Sequence, residues 1–98
     1  MAKVYVVNKS THDFSPAEEF GEVIFLSEGP MKRDGVTNMI RTFKEVMDKS
    51  TPEDYILLTS LTTMCVVAGA MFAHRHGRLN LLLYDPNTKR YMERSDIL

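Results

Sequence analysis

Apolar positions along this chain follow two rhythms. Near-continuous apolar runs occur at Val4-Tyr-Val-Val7, Glu22-Val-Ile-Phe-Leu26, Tyr55-Ile-Leu-Leu58 and Leu79-Asn-Leu-Leu-Leu-Tyr84. Runs that do not alternate with polar residues suit strands covered on both faces, as in a parallel sheet. A fifth run, Lys89-Arg-Tyr-Met-Glu93, alternates and reads as an edge strand. Asp85-Pro-Asn-Thr88 carries turn chemistry, so the fifth strand is expected to fold back antiparallel on the fourth. Lys89, Arg90 and Arg94 would discourage edge-to-edge aggregation there.

The second rhythm is helical. Val36, Met39, Ile40, Phe43, Val46 and Met47 share one face, while Thr37, Arg41, Lys44, Glu45 and Asp48 occupy the other. A second helix, about Leu61 to His76, has no charge before its last turn and is apolar around its axis. One of its faces is expected on the sheet and another against a second subunit, giving a homo-oligomer through residues 61–76. A short helical turn is expected at Ser15-Pro-Ala-Glu-Glu-Phe20, with Ser15 as N-cap, Glu18 completing a capping box and Gly21 ending it.

Strand, short helix, strand, helix, strand, helix, strand, strand describes an α/β layered fold. The expected form is one small Rossmann-like or flavodoxin-like domain over residues 1–98, with a mostly parallel sheet in the order 2-1-3-4-5. A ferredoxin-like order is the structural alternative. In the first arrangement, ligands sit beyond the carboxyl ends of strands one and three, where neighbouring loops diverge.

Composition narrows the partners. Twelve basic and thirteen acidic residues, a net charge of -1 and no long charge run argue against a broad grip on duplex nucleic acid. A single cysteine excludes an internal disulfide and suits a reducing cytoplasm. The first apolar run is too short for a signal peptide, and hydroxyls interrupt the longest uncharged stretch, Tyr55 to Ala73, so no membrane association is expected.

The candidate chemistry gathers where strand three meets the apolar helix, at Asp54-Tyr-Ile-Leu-Leu-Thr-Ser-Leu-Thr-Thr63. Free amides at a helix start favour an anion, and Thr59, Ser60, Thr62 and Thr63 add hydroxyls. Thr59 or Ser60 equally suits an ordinary helix cap. Two other loops converge on the same edge, supplying Asn8, Lys9, Ser10, Thr11 and His12 from one and Ser27 from the other. No G-x-x-x-x-G-K-[ST] or G-x-G-x-x-G sequence is present, so neither a triphosphatase loop nor a bound dinucleotide cofactor is expected.

Other chemistry has plainer readings. Cys65, early in an apolar helix, reads as a small packing residue. Ser60, His12 and Asp13 name a triad without any G-x-S-x-G context. His74-Arg-His-Gly-Arg78 suits a helix C-terminus closed by Gly77. No spacing of acidic residues, His or Cys suggests a metal.

The stretch Lys3-Val-Tyr-Val-Val-Asn-Lys-Ser-Thr-His-Asp-Phe-Ser15, continuing through Ala17-Glu-Glu-Phe-Gly-Glu-Val-Ile-Phe-Leu-Ser-Glu-Gly29, resembles small proteins encoded by tailed bacteriophages. Asp54-Tyr-Ile-Leu-Leu-Thr-Ser60 and Phe72-Ala-His-Arg-His-Gly-Arg-Leu-Asn-Leu-Leu-Leu83 extend the resemblance over most of the chain. It implies action in the host cytoplasm and interference with the host, including sequestration of nucleotide signals used in defence. It transfers no activity to particular residues. The expected function is therefore non-enzymatic binding of a small anionic ligand, a nucleotide or a signal derived from one. The alternatives are a protein-interaction module acting through the apolar helix or edge strand, and a small phosphoester hydrolase.

Overall fold

A computed structural model describes all residues, 1–98. Strand β1 covers Lys3–Val6, β2 Glu22–Phe25, β3 Tyr55–Leu57, β4 Arg78–Asp85 and β5 Arg90–Ile97. Helix α1 covers Val36–Met47 and α2 covers Thr62–His76. The strands form one sheet in the order β2-β1-β3-β4-β5, parallel except for the antiparallel β4–β5 pair. The expected α/β class, strand order and closing hairpin are all present.

The layering follows from the direction of chain travel. From β1 the chain steps outward to β2, then crosses back past β1 to β3 and on to β4. Right-handed crossovers therefore put α1 and α2 together on one face and the first connection on the other. On the helical face, Met39, Phe43 and Met47 of α1 and Met64, Ala68 and Phe72 of α2 pack with Tyr5, Val7 and Ile56. The opposite face is thinner: Phe14 and Ala17 cover Val4, Val6, Leu57 and Leu82. Because β1 is covered on both sides, its residues Val4 to Val6 are wholly buried, which is why its sequence shows no alternation.

Helix α2 meets the sheet on one side and α1 on another. Two of its faces are thus covered within one chain, and its exposed strip centres on Val66, 66% exposed, and Ala70. Its end is closed by Gly77 in the left-handed conformation (φ 68°), whose N–H donates to Ala73 O at 2.8 Å. Arg75 reaches the side chain and carbonyl of Asp48, and His76 meets Ser50 at 2.7 Å, so the basic cluster ties α2 to the end of α1.

Two local expectations need correction. The segment Ser15–Glu19 is a 3₁₀ helix with Phe14 at the N-cap position, and the Ser15–Glu18 capping box does not form. Asp13 makes an Asx turn instead, its Oδ1 accepting the Ser15 N–H at 2.9 Å, so that amide is no longer available to Glu18. The fifth strand extends four residues beyond Glu93 to Ile97, because pairing with β4 overrides its polar composition. Gly21 follows the Phe20 cap that ends this helix, as expected, and also answers a contact: a Cβ there would lie 2.1 Å from Ala2 O, where the chain enters β2.

Candidate functional site

Beyond the carboxyl ends of β1, β3 and β4 lies a cavity of about 630 Å³. Its polar lip carries Asn8, Ser10 and His12 after β1 and Thr59 and Ser60 after β3. Its floor and far wall are apolar and aromatic, from Phe14, Leu57, Leu83, Tyr84 and Tyr91. Tyr84 and Tyr91 stand directly opposite each other on β4 and β5, with ring centroids 5.2 Å apart. His12 bridges to this pair, 6.5 Å from Tyr84 and 4.8 Å from Phe14, both edge-on. Neither the Tyr84 nor the Tyr91 hydroxyl has a hydrogen-bond partner in the chain. Burial, followed by the neighbouring Tyr84 and Asp13, pushes the Tyr91 phenol above its ordinary range, so it stays protonated and able to donate.

A second cavity, about 540 Å³, opens at the start of α2 and shares Ser60 and Leu61 with the first. Thr62, Thr63 and Met64 border it on the helix side, and Met31, Arg33 and Met39 across from them. The helix N-cap position is Leu61, with no side-chain cap. Thr62 N–H donates to Ser60 O at 2.9 Å and Cys65 N–H to Leu61 O at 2.9 Å, whereas the amides of Thr63 and Met64 have no acceptor within the chain. Arg33 makes no ion pair and is the charged residue among those lining this cavity. The Thr59-to-Leu61 turn is held from beneath. Thr59 Oγ1 accepts the Leu61 N–H at 3.2 Å, and the buried Cys65 Sγ lies 3.4 Å from Thr59 N. Cys65 thus packs as a structural residue, and Thr59 braces the turn rather than capping the helix.

The ten residues singled out in the sequence divide accordingly. Asn8, Ser10, His12, Thr59 and Ser60 line the first cavity, and Ser60, Thr62 and Thr63 the second. Ser27 is a buried strut, its hydroxyl directed at Val7 O (2.7 Å) and Asn8 Oδ1 (3.0 Å). Asn8 donates in turn to Gly29 O at 3.2 Å, so its amide joins the loops after β1 and β2 while its flank faces the cavity. Lys9 points to Glu28, 3.8 Å away, and Thr11 borders neither hollow. Asp13 is turned to the Ser15 amide, which holds its carboxyl below the usual range, and no hydrogen bond links it to His12. Ser60, His12 and Asp13 therefore do not form a hydrogen-bonded relay.

Sequence reasoning missed the aromatic wall and Arg33. In the sequence Tyr84 and Tyr91 stand only as strand residues; their equal distance from the Asp85-to-Arg90 turn is the signal that pairs them on one face. Arg33 belongs to a loop with no apolar pattern, and nothing local marks where it points.

The family described as Phage Pam3 gp32-like protein matches residues 2–95. Comparison with curated proteins and with solved structures found no match. With nearly its whole length matched, the chain belongs to this phage family.

Proposed function

We propose that this chain binds a small ligand with an aromatic ring at one end and an anionic group at the other, a nucleotide or nucleotide-derived signal, without transforming it. The observation that carries this reading is the adjacency of two unlike hollows across Leu61. One is walled by Tyr84, Tyr91 and His12, suited to stacking a base; the other holds Arg33 beside unbonded amides of α2, suited to a phosphate. Lys9 and Thr11 drop out of the proposed contacts, and Arg33 takes the cationic role.

A phage setting supplies a purpose: holding a host nucleotide signal in the host cytoplasm withholds it from its receptor. No helix is long and apolar enough to cross a membrane, which agrees with action on a dissolved ligand. Sequestration needs affinity alone, and the lack of a relay at Ser60, His12 and Asp13 favours it over hydrolysis.

Calorimetry and thermal shift against mono-, di- and cyclic nucleotides, with nucleosides and inorganic phosphate as half-ligands, test the reading. The expected result is saturable binding of at least one nucleotide, more tightly than either half, with the compound recovered intact. Silence across the panel at millimolar ligand overturns the reading. Turnover that is lost in His12→Ala would replace it with a phosphoester hydrolase.

A further inference from the structure

Strand β5 has β4 on one side and an open edge on the other. The phase of the ladder shows which groups face out. Leu98 N–H donates to Gly77 O at 2.9 Å, and Arg78 stands opposite Ile97. Even-numbered residues of β5 therefore bond to β4, while Tyr91, Glu93, Ser95 and Ile97 direct their N–H and C=O groups outward. Two of these outward groups are held by β5's own side chains. Asp96 Oδ1 accepts the Ile97 N–H at 2.8 Å, and the Arg94 guanidinium donates to Glu93 O at 2.7 Å.

A second copy laid antiparallel along this edge must pair residues of equal parity across a two-fold axis. Over Arg90–Ile97, four such registers overlap by five residues or more, centred on Met92, Glu93, Arg94 or Ser95. The first sets Arg90 against Arg94 twice, the second Glu93 against Glu93, and the third Arg94 against Arg94. Only the axis at Ser95 sets no like charges opposite each other, and it opposes Arg94 to Asp96 on both sides. The charges that guard this edge against general aggregation leave one pairing permitted.

We propose that β5 pairs with β5 of a second copy of this chain about a two-fold axis at Ser95, forming a continuous ten-stranded sheet. Glu93 of each copy meets Ile97 of the other, and Ser95 meets Ser95, so the outward backbone groups exchange hydrogen bonds. Arg94 and Asp96 then release those groups and pair with each other across the axis. Tyr91 lies at the far end of β5 from this axis, so the cavity it lines stays open in each copy of the dimer.

Sedimentation equilibrium is expected to show a dimer at about 100 μM, a concentration at which even modest affinity populates one. Ser95→Pro removes an N–H that β4 does not use, so circular dichroism and melting should stay near wild type while the dimer is lost. Ser95→Cys should crosslink on oxidation, whereas Glu93→Cys and Arg94→Cys, at the axes of competing registers, should not. Arg94→Asp and Asp96→Arg should each weaken association by about tenfold or more, and the double exchange should restore it. A wild-type monomer at that concentration overturns the proposal. So does a dimer that survives Ser95→Pro, or one dispersed by Val66→Asp on α2 and indifferent to the Arg94–Asp96 exchange.

Discussion

The two ends of the sheet use the same residue types for opposite purposes. At the amino end, Asp54 is 2% exposed and its side-chain oxygens accept the N–H groups of Lys3 (2.9 Å) and Thr51 (2.8 Å) and the Tyr5 hydroxyl (3.4 Å). Asn80 beside it donates to Pro52 O at 2.7 Å and Asp54 O at 2.8 Å and accepts from Arg78 Nε at 2.8 Å. Ser50 has one hydroxyl proton, directed at Met47 O, so His76 Nε2 must donate to Ser50. At the carboxyl end, the Tyr84 and Tyr91 hydroxyls and the Thr63 and Met64 amides of α2 find no acceptor in the chain, and these residues border the two hollows. Polar groups that satisfy one another stabilise a fold; polar groups left open around a cavity are available to a ligand.

If this division holds, changes at the two ends should separate stability from binding. The largest effect is expected for Asp54→Ala, which strands two partly buried N–H groups and a buried hydroxyl. Urea denaturation should show a loss of about 3 kcal/mol, while the folded protein keeps its nucleotide affinity. A loss of affinity without a loss of stability would break the contrast. Next comes Tyr5, whose burial, aided by Asp54, pushes its phenol up to about 12. The unfolded phenol ionises near 10, so the folded state holds the extra proton between these values. Its contribution is full below pH 10 and is lost as pH rises toward 12, by roughly 2–3 kcal/mol. Denaturation across that range should show the slope in the wild type and a reduced slope in Tyr5→Phe.

The opposite end should respond in the other measurement. Tyr84→Ala, at a partly exposed position, is expected to lower nucleotide affinity by about tenfold through lost stacking, with stability changing by less than about 1 kcal/mol. The smallest effect is expected for Arg33→Gln, roughly a fivefold loss for nucleotides, fading at high salt, with no change for the matching nucleosides. Calorimetry on each pair of ligands checks both. Should Tyr84→Ala unfold the protein instead, the aromatic wall belongs to the core and the carboxyl end is not a site.

The fold was legible because hydrophobic rhythm and turn chemistry report burial directly. Val4 to Val7 could be unbroken only if both faces were covered, and Asp85-Pro-Asn could only reverse the chain. The candidate site was legible to the level of loops: the segments after β1 and β3 do converge. Individual side chains were less so, because a loop's path decides which of its residues face inward. Lys9 and His12 are three positions apart, yet one turns to Glu28 and the other to Tyr84. The aromatic wall was hidden for another reason. Tyr84 and Tyr91 acquire their role only from the register of a strand pair, which composition does not contain.

That register rests on the four-residue turn at positions 86–89, closed by Lys89 at φ 58° and by its N–H to Asp85 O at 2.8 Å. The turn therefore acts as a reading frame for everything downstream. One residue more or fewer would rotate Tyr91 out of the cavity wall and exchange the inward and outward backbone groups of β5 in a single step. Descendants of this sequence can rewrite most letters of the turn, position 89 with its left-handed backbone excepted, but its length should drift only in steps of two.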